Sequence, residues 1–190
     1  MGFDRERKWW WLSLASLPPL VATAISINVW RNIQDYRHRT ETNVAQGGIE
    51  LDYAGATWRI EKVRMLGDGR DAQLRLPGRM RLVVVRMVAT ATRDIGDGWG
   101  QCEVSLTDGS GRRWLPLDVN LSNDISRDLE PGKDPVSGCG ITSLAPPQMN
   151  HAALIEEKFV VPADAVPSLN ARMSVGRLRP DAIGFPLGLN

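Results

Sequence analysis

The chain has 190 residues, a length that suits one folded domain plus an appendage. Its 23 Lys and Arg nearly balance 22 Asp and Glu, so it lacks the broad positive field that draws a protein onto nucleic acid, and no nucleic-acid partner is expected.

The first element in chain order is an uncharged run between Lys8 and Arg31. About 20 apolar residues at ~1.5 Å rise each cover the ~30 Å hydrocarbon core of a bilayer, and residues 9–30 meet that length. Trp9, Trp10 and Trp11 at one end and Trp30 at the other are predicted at the two membrane interfaces, where amphipathic rings are favoured. Pro18 and Pro19 fall mid-run; a membrane helix tolerates such prolines when the freed carbonyls find local partners. A buried helix of a soluble domain would show a polar side, which this run lacks. A cleaved export signal is a second reading, because Arg5, Arg7 and Lys8 make a basic start and Ala22 and Ala24 suit cleavage after Ala24. Against it, the run continues through Ile25, Ile27, Val29 and Trp30, beyond the usual core of a removed signal, which favours an uncleaved anchor.

Arg5, Arg7 and Lys8 tie with Arg31, Arg37 and Arg39, so the positive-inside rule does not choose an orientation. A short cytoplasmic tail (1–8) ahead of a large following domain suits a single-pass plasma-membrane protein whose carboxyl domain is extracytoplasmic. The polar segment 31–48, ending in Gly47 and Gly48, reads as a tether or as a few further helical turns.

From residue 49 the apolar period becomes two. Residues 56–66 place Trp58 and Ile60 in one phase and Val63 and Met65 in the other, which predicts a bulge near Glu61 and Lys62. Residues 80–92 are apolar on both faces apart from Arg86, as in a central strand covered on both sides. Residues 101–107 and 169–175 alternate as half-buried strands, and Asp108, Gly109, Ser110 and Gly111 form a hairpin turn after the first of them. The turn signals "GDGRD", "GDGWG" and "PADAVP" separate the runs. No amphipathic helix is evident, and residues 120–150 read as one long loop. The expected fold of 49–190 is therefore all-β: an immunoglobulin-like antiparallel β-sandwich of about seven strands, preceded by one N-terminal transmembrane helix.

The order "TWRIEKVRML", "RLVVVRMVATAT", "CEVSLTDGSGRRWLPL", a long polar loop and "EEKFVVPADAVPSLNARMSV" resembles the bacterial telokin-like, immunoglobulin-like extracellular domains over residues 49–180. The hairpin from Thr107 to Gly111 and the strand end from Phe159 to Pro162 look like that family's motifs. The resemblance implies export and anchoring without known catalysis. With no lipobox cysteine in the chain, anchoring would fall to the helix.

Cys102 and Cys139 are the only cysteines, and an even pair in an exported domain is expected to form a disulfide. A buried thiol at Cys102, in phase with Val104 and Leu106, is the other reading. Cys139 with His151 as its base would make a cell-envelope thiol enzyme, a reading with no second supporting constellation. Asp94 with Asp97, or Asp118, Asn120, Asp124 and Asp128, could offer oxygens to calcium but follow no ligand spacing, so no metal and no cofactor are expected. "GDGWG" and "GDGRD" lack the strand-turn-helix setting of a phosphate cradle, and Asn120, Leu121 and Ser122 form a glycosylation sequon. Trp99 in its glycine-rich turn, with Arg112, Arg113 and Trp114, forms a candidate partner-binding patch, or else both rings complete the core. The residues thus point to a non-catalytic, membrane-anchored binding module with a protein or envelope partner. A cytoplasm-facing accessory subunit of a membrane complex remains as an alternative.

Overall fold

A computed structural model describes residues 3–67 and 76–189. The chain divides into two compact units, Met1–Thr40 and Glu41–Asn190.

The first unit is one helix, α1 (Phe3–Arg39), with Pro18 and Pro19 inside it. Its segment Trp9–Tyr36 is long and apolar enough to cross a membrane: 28 residues make about 42 Å of helix against ~30 Å of hydrocarbon. Between Trp9 and Trp30 the serine, threonine and asparagine side chains turn back onto their own backbone. Thr23 Oγ1 donates to Pro19 O at 2.7 Å, Ser26 Oγ to Ala22 O at 2.8 Å and Asn28 Nδ2 to Ala24 O at 2.9 Å. Each of these side chains thereby donates within the helix, as an apolar environment requires. Trp9, Trp10, Trp11 and Trp30 are all exposed on the helix surface.

The helix continues through residues 31–39, the further turns that the sequence offered as the alternative to a tether, and residues 43–46 form a strand. The second unit contains β1 (Asn43–Gln46), β2 (Glu50–Tyr53), β3 (Ala56–Leu66), β4 (Met80–Ala91), β5 (Glu103–Thr107), β6 (Arg113–Trp114), α2 (Val119–Leu129), a single turn α3 (Cys139–Thr142), β7 (Ala152–Pro162), β8 (Asn170–Ser174) and β9 (Asp181–Pro186). Two sheets form from them, ordered β1-β9-β8-β5-β6 and β2-β3-β4-β7. All neighbours are antiparallel except β1, which runs parallel to β9. The result is a β-sandwich. Gly184 makes the β1 pairing possible, since a Cβ there would meet Val44 Cγ1 at 2.9 Å.

Between the sheets lie Trp58, Val83, Val85, Met87, Ile155, Phe159 and Val161 from one side and Val104, Leu106, Ala171, Met173, Ile183 and Phe185 from the other. The bulge expected near Glu61 is present: Ile60 pairs with Met87 and Lys62 with Arg86, leaving Glu61 without an opposite residue. The extra residue restores phase, so Val63 and Met65 pack against the same core as Trp58 and Ile60. β4 is apolar on both faces because its outer positions Leu82 and Val84 pack under Leu117, Ile125 and Leu129.

The segment 120–150 is not one long loop. Asp118 caps α2, its Oδ1 accepting Asn120 N–H at 2.9 Å, and the helix lies over the outer face of the four-stranded sheet. Its inward residues Ser122, Ile125, Ser126 and Leu129 have helical spacing, but two of the four are serines, so an apolar period alone misses them. The run after the 108–111 hairpin is also shorter than a full strand. Past Trp114 the chain crosses to the other sheet, where Leu117 N–H donates to Lys158 O at 2.8 Å.

Candidate functional site

The sequence-predicted patch separates into a core residue and a surface group. Trp99 is fully buried, packed against Trp58 with ring centroids 4.8 Å apart and planes tilted by 41°, and its Nε1 donates to Ala54 O at 3.0 Å. This corrects its assignment as a partner-binding residue: the glycine-rich turn bends inward and delivers the ring to the sandwich interior. The other three residues belong to edge strand β6 and its turn. The Arg112 guanidinium lies 5.4 Å from the Trp114 ring centroid and donates to Asp108 at 2.7 Å and Asp164 at 3.0 Å. Arg113 donates to Glu41 at 3.0 Å and Glu103 at 2.7 Å. Burial opposes ionisation of Asp108, but hydrogen bonds from Arg112 and Ser110 outweigh it and hold this carboxyl down at about 2. These arginines are committed to internal carboxylates, which fix the hairpin.

Cys102 and Cys139 stand at disulfide distance, with Cα atoms 5.4 Å apart, and both are buried. The pair joins α3 to the start of β5. His151 is exposed, its Nδ1 against Met149 O at 3.2 Å, and is not brought into hydrogen-bond contact with Cys139 among the described residues. Asp94 accepts Gly96 N–H, Asp118 caps α2 and Asp124 pairs with Arg127 at 2.9 Å, so these three of the candidate calcium ligands have local roles. Among the described residues no group of three or more His, Cys, Asp or Glu is arranged to hold a metal. The sequon Asn120-Leu121-Ser122 sits in the first turn of α2 with Ser122 buried, and "GDGRD" lies outside the described residues beyond Gly67.

One cleft, beside the cysteine pair, escaped the sequence reading. Strand β7 directs Ala153, Ile155, Glu157, Phe159 and Val161 to its inner side, and Glu157 is the one acid among them. Glu157 is 8% exposed, and Cys139 N–H donates to its Oε1 at 2.7 Å. Gly138 permits that approach, because a Cβ there would meet Oε1 at 2.6 Å. Burial pushes the carboxyl up to about 7; the Cys139 N–H and Lys158 work against the shift and Glu156 adds to it. Glu157 lines a cleft of about 530 Å³ whose walls are Pro116, Leu117 and Val119 on the crossing segment and α2, with Pro135, Val136 and Ile141 opposite. The signal in the sequence was an acid in phase with Ile155, Phe159 and Val161.

The outer face of β7 carries the complementary arrangement. Lys158 is fully buried there, its Nζ donating to Glu156 at 2.8 Å, Ser126 at 2.7 Å and Ser122 at 3.2 Å. Glu156 also accepts from Arg86, and Glu130 pairs with Arg64 and Lys133, both at 3.2 Å. This chain of ions fastens α2 and its C-terminal cap to three strands.

No family model matches the chain, and no curated protein matches it. The telokin-like resemblance therefore rests on its own residues. Among solved structures, an uncharacterized beta-sandwich protein from Clostridium difficile 630 is similar at 5% identity and a TM-score of 0.43, covering 77% of this chain and 96% of that one. A conserved hypothetical protein from Bacillus anthracis is similar at 8% identity and a TM-score of 0.41, covering 72% of this chain and 93% of its own.

Proposed function

We propose that the chain is a single-pass, membrane-anchored binding module of the bacterial cell envelope, with α1 crossing the bilayer and an immunoglobulin-like sandwich on the extracytoplasmic side. The observation that carries this reading is the buried cysteine pair at disulfide distance in a domain that follows an apolar helix, because structural disulfides persist on the oxidising side of a membrane. The immunoglobulin-like assignment draws support from strand order. The runs β3-β4-β7 and β9-β8-β5 follow the A-B-E and G-F-C orders of that sandwich, and in chain order α2 falls between β6 and β7, where the D strand of that sandwich would come. The domain binds rather than catalyses: both cysteines are buried and paired, and the acid nearest them lines an apolar cleft. Trp9, Trp10, Trp11 and Trp30 seat the anchor at the interfaces.

Protease digestion of intact spheroplasts tests the topology, with alkylation of denatured, acid-quenched samples reporting the thiol state. The expected result is loss of the domain without permeabilisation and no free thiol before reduction. A domain protected until lysis, with two free thiols, overturns the reading in favour of a cytoplasm-facing subunit.

A further inference from the structure

We propose that the cleft beside the cysteine pair binds a small ligand carrying a protonated amine on an apolar body, with the ammonium seated against the Glu157 carboxylate. The inference deepens the binding reading above and rests on it only in that the domain binds; it makes no use of topology.

The argument begins with what Glu157 lacks. A carboxylate this far from water is costly unless it is paired, and the only hydrogen bond it accepts among the described residues comes from Cys139 N–H. Its neighbours in sequence do not serve it. Lys158 points to the opposite face of β7, where Glu156, Ser122 and Ser126 take its three donors. Arg127, the one cationic residue of the cleft lining among the described residues, is exposed and donates to Asp124. Glu157 is thus an acid facing a cavity with no cation assigned to it.

The rest of the cleft describes the ligand's body. Its walls are mostly apolar and its size falls within the ~300–1,000 Å³ of small-molecule sites, which combine such walls with one or two placed polar groups. Ser122 and Glu157 are the buried polar side chains of the lining. An anion would meet a like charge at the Glu157 carboxylate, and a neutral alcohol would donate a hydrogen bond to it without neutralising it, so an ammonium, which adds the ion pair to the hydrogen bond, is the complement that gains most. The raised affinity of Glu157 for its proton is what such a site produces before its cation arrives. Binding then strengthens as pH rises through about 7 and the carboxylate forms, with Lys158, Glu156 and the Arg127–Asp124 pair as the surrounding charges.

The test uses the full chain in phosphatidylcholine nanodiscs, titrated with cyclohexylammonium, cyclohexanol and cyclohexanecarboxylate by saturation-transfer NMR, with empty nanodiscs as the blank. Cyclohexylammonium is expected to bind at least about tenfold more tightly than cyclohexanol at pH 8, and about tenfold more weakly at pH 6 than at pH 8. Glu157→Gln is expected to remove that preference. Ile141→Arg, at a half-exposed position outside the core, is expected to remove it too by placing a cation at the mouth, and it decides the matter if Glu157→Gln does not fold. Equal binding of the alcohol, full ammonium binding by a folded Ile141→Arg variant, or no binding of any probe overturns the site. Failure of the topology experiment leaves these outcomes untouched, so the two proposals fall separately.

Discussion

Glu157 shows how one residue's position sets a property of the domain. Its folded-state pKa of about 7 lies above its ordinary 4.5, so the folded protein holds a proton that the unfolded chain releases between those values. The stabilisation is therefore complete below about pH 4.5, declines as pH rises to about 7 and changes little above that, by up to about 3 kcal/mol. Thermal melts of the full chain in one detergent from pH 4 to 8 are expected to show that fall, and Glu157→Gln is expected to flatten this part of the profile; a parallel fall in the variant would assign the effect elsewhere. The residue's presence was legible in "IEEKFVV", but its role was not. Its phase with Ile155, Phe159 and Val161 turns it inward, but the cleft it meets is built by residues 116–123 and 135–141, which only the tertiary fold brings to β7.

Among the elements, α2 separates what local pattern reveals from what it hides. β3 announced its bulge because Trp58, Ile60, Val63 and Met65 change phase within one strand. β4 announced its two covered faces because both are apolar. α2 did neither, since its inner face alternates Ile125 and Leu129 with Ser122 and Ser126, whose partner is a buried lysine 30 or more residues away. Replacing its cap, Asp118→Ala, is expected to cost about 1 kcal/mol and to speed hydrogen exchange across Val119–Leu129 while leaving the core strands protected. The cysteine pair closes a separation of 37 residues that contains all of α2. Cys102→Ser with Cys139→Ser is expected to lower stability by about 3 kcal/mol, read as a lower denaturation midpoint under non-reducing conditions; no change would mean that the unfolded chain gains nothing from release of that loop.

For the whole molecule, the division at Thr40 and Glu41 separates a helix satisfied by its own backbone from a sandwich with its own core. The anchoring proposal predicts that the full chain stays with the membrane pellet through alkaline carbonate extraction. Val21→Arg, at the middle of the apolar segment, is expected to shift it towards the supernatant, because a central arginine costs about 2.5–3.5 kcal/mol of insertion. The two-layer architecture was readable from alternation, whereas the first strand was not: residues 43–46 are short and polar, and only the parallel seat beside β9, opened by Gly184, makes them a strand. That seat has a mechanical consequence. Parallel neighbours begin at the same end, so Asn43 at the start of β1 and Pro186 at the end of β9 lie at opposite ends of the pair, and a pull between them loads the hydrogen bonds together in shear. A domain held this way resists tension by the whole ladder at once, where a hairpin at the same edge would unzip one rung at a time.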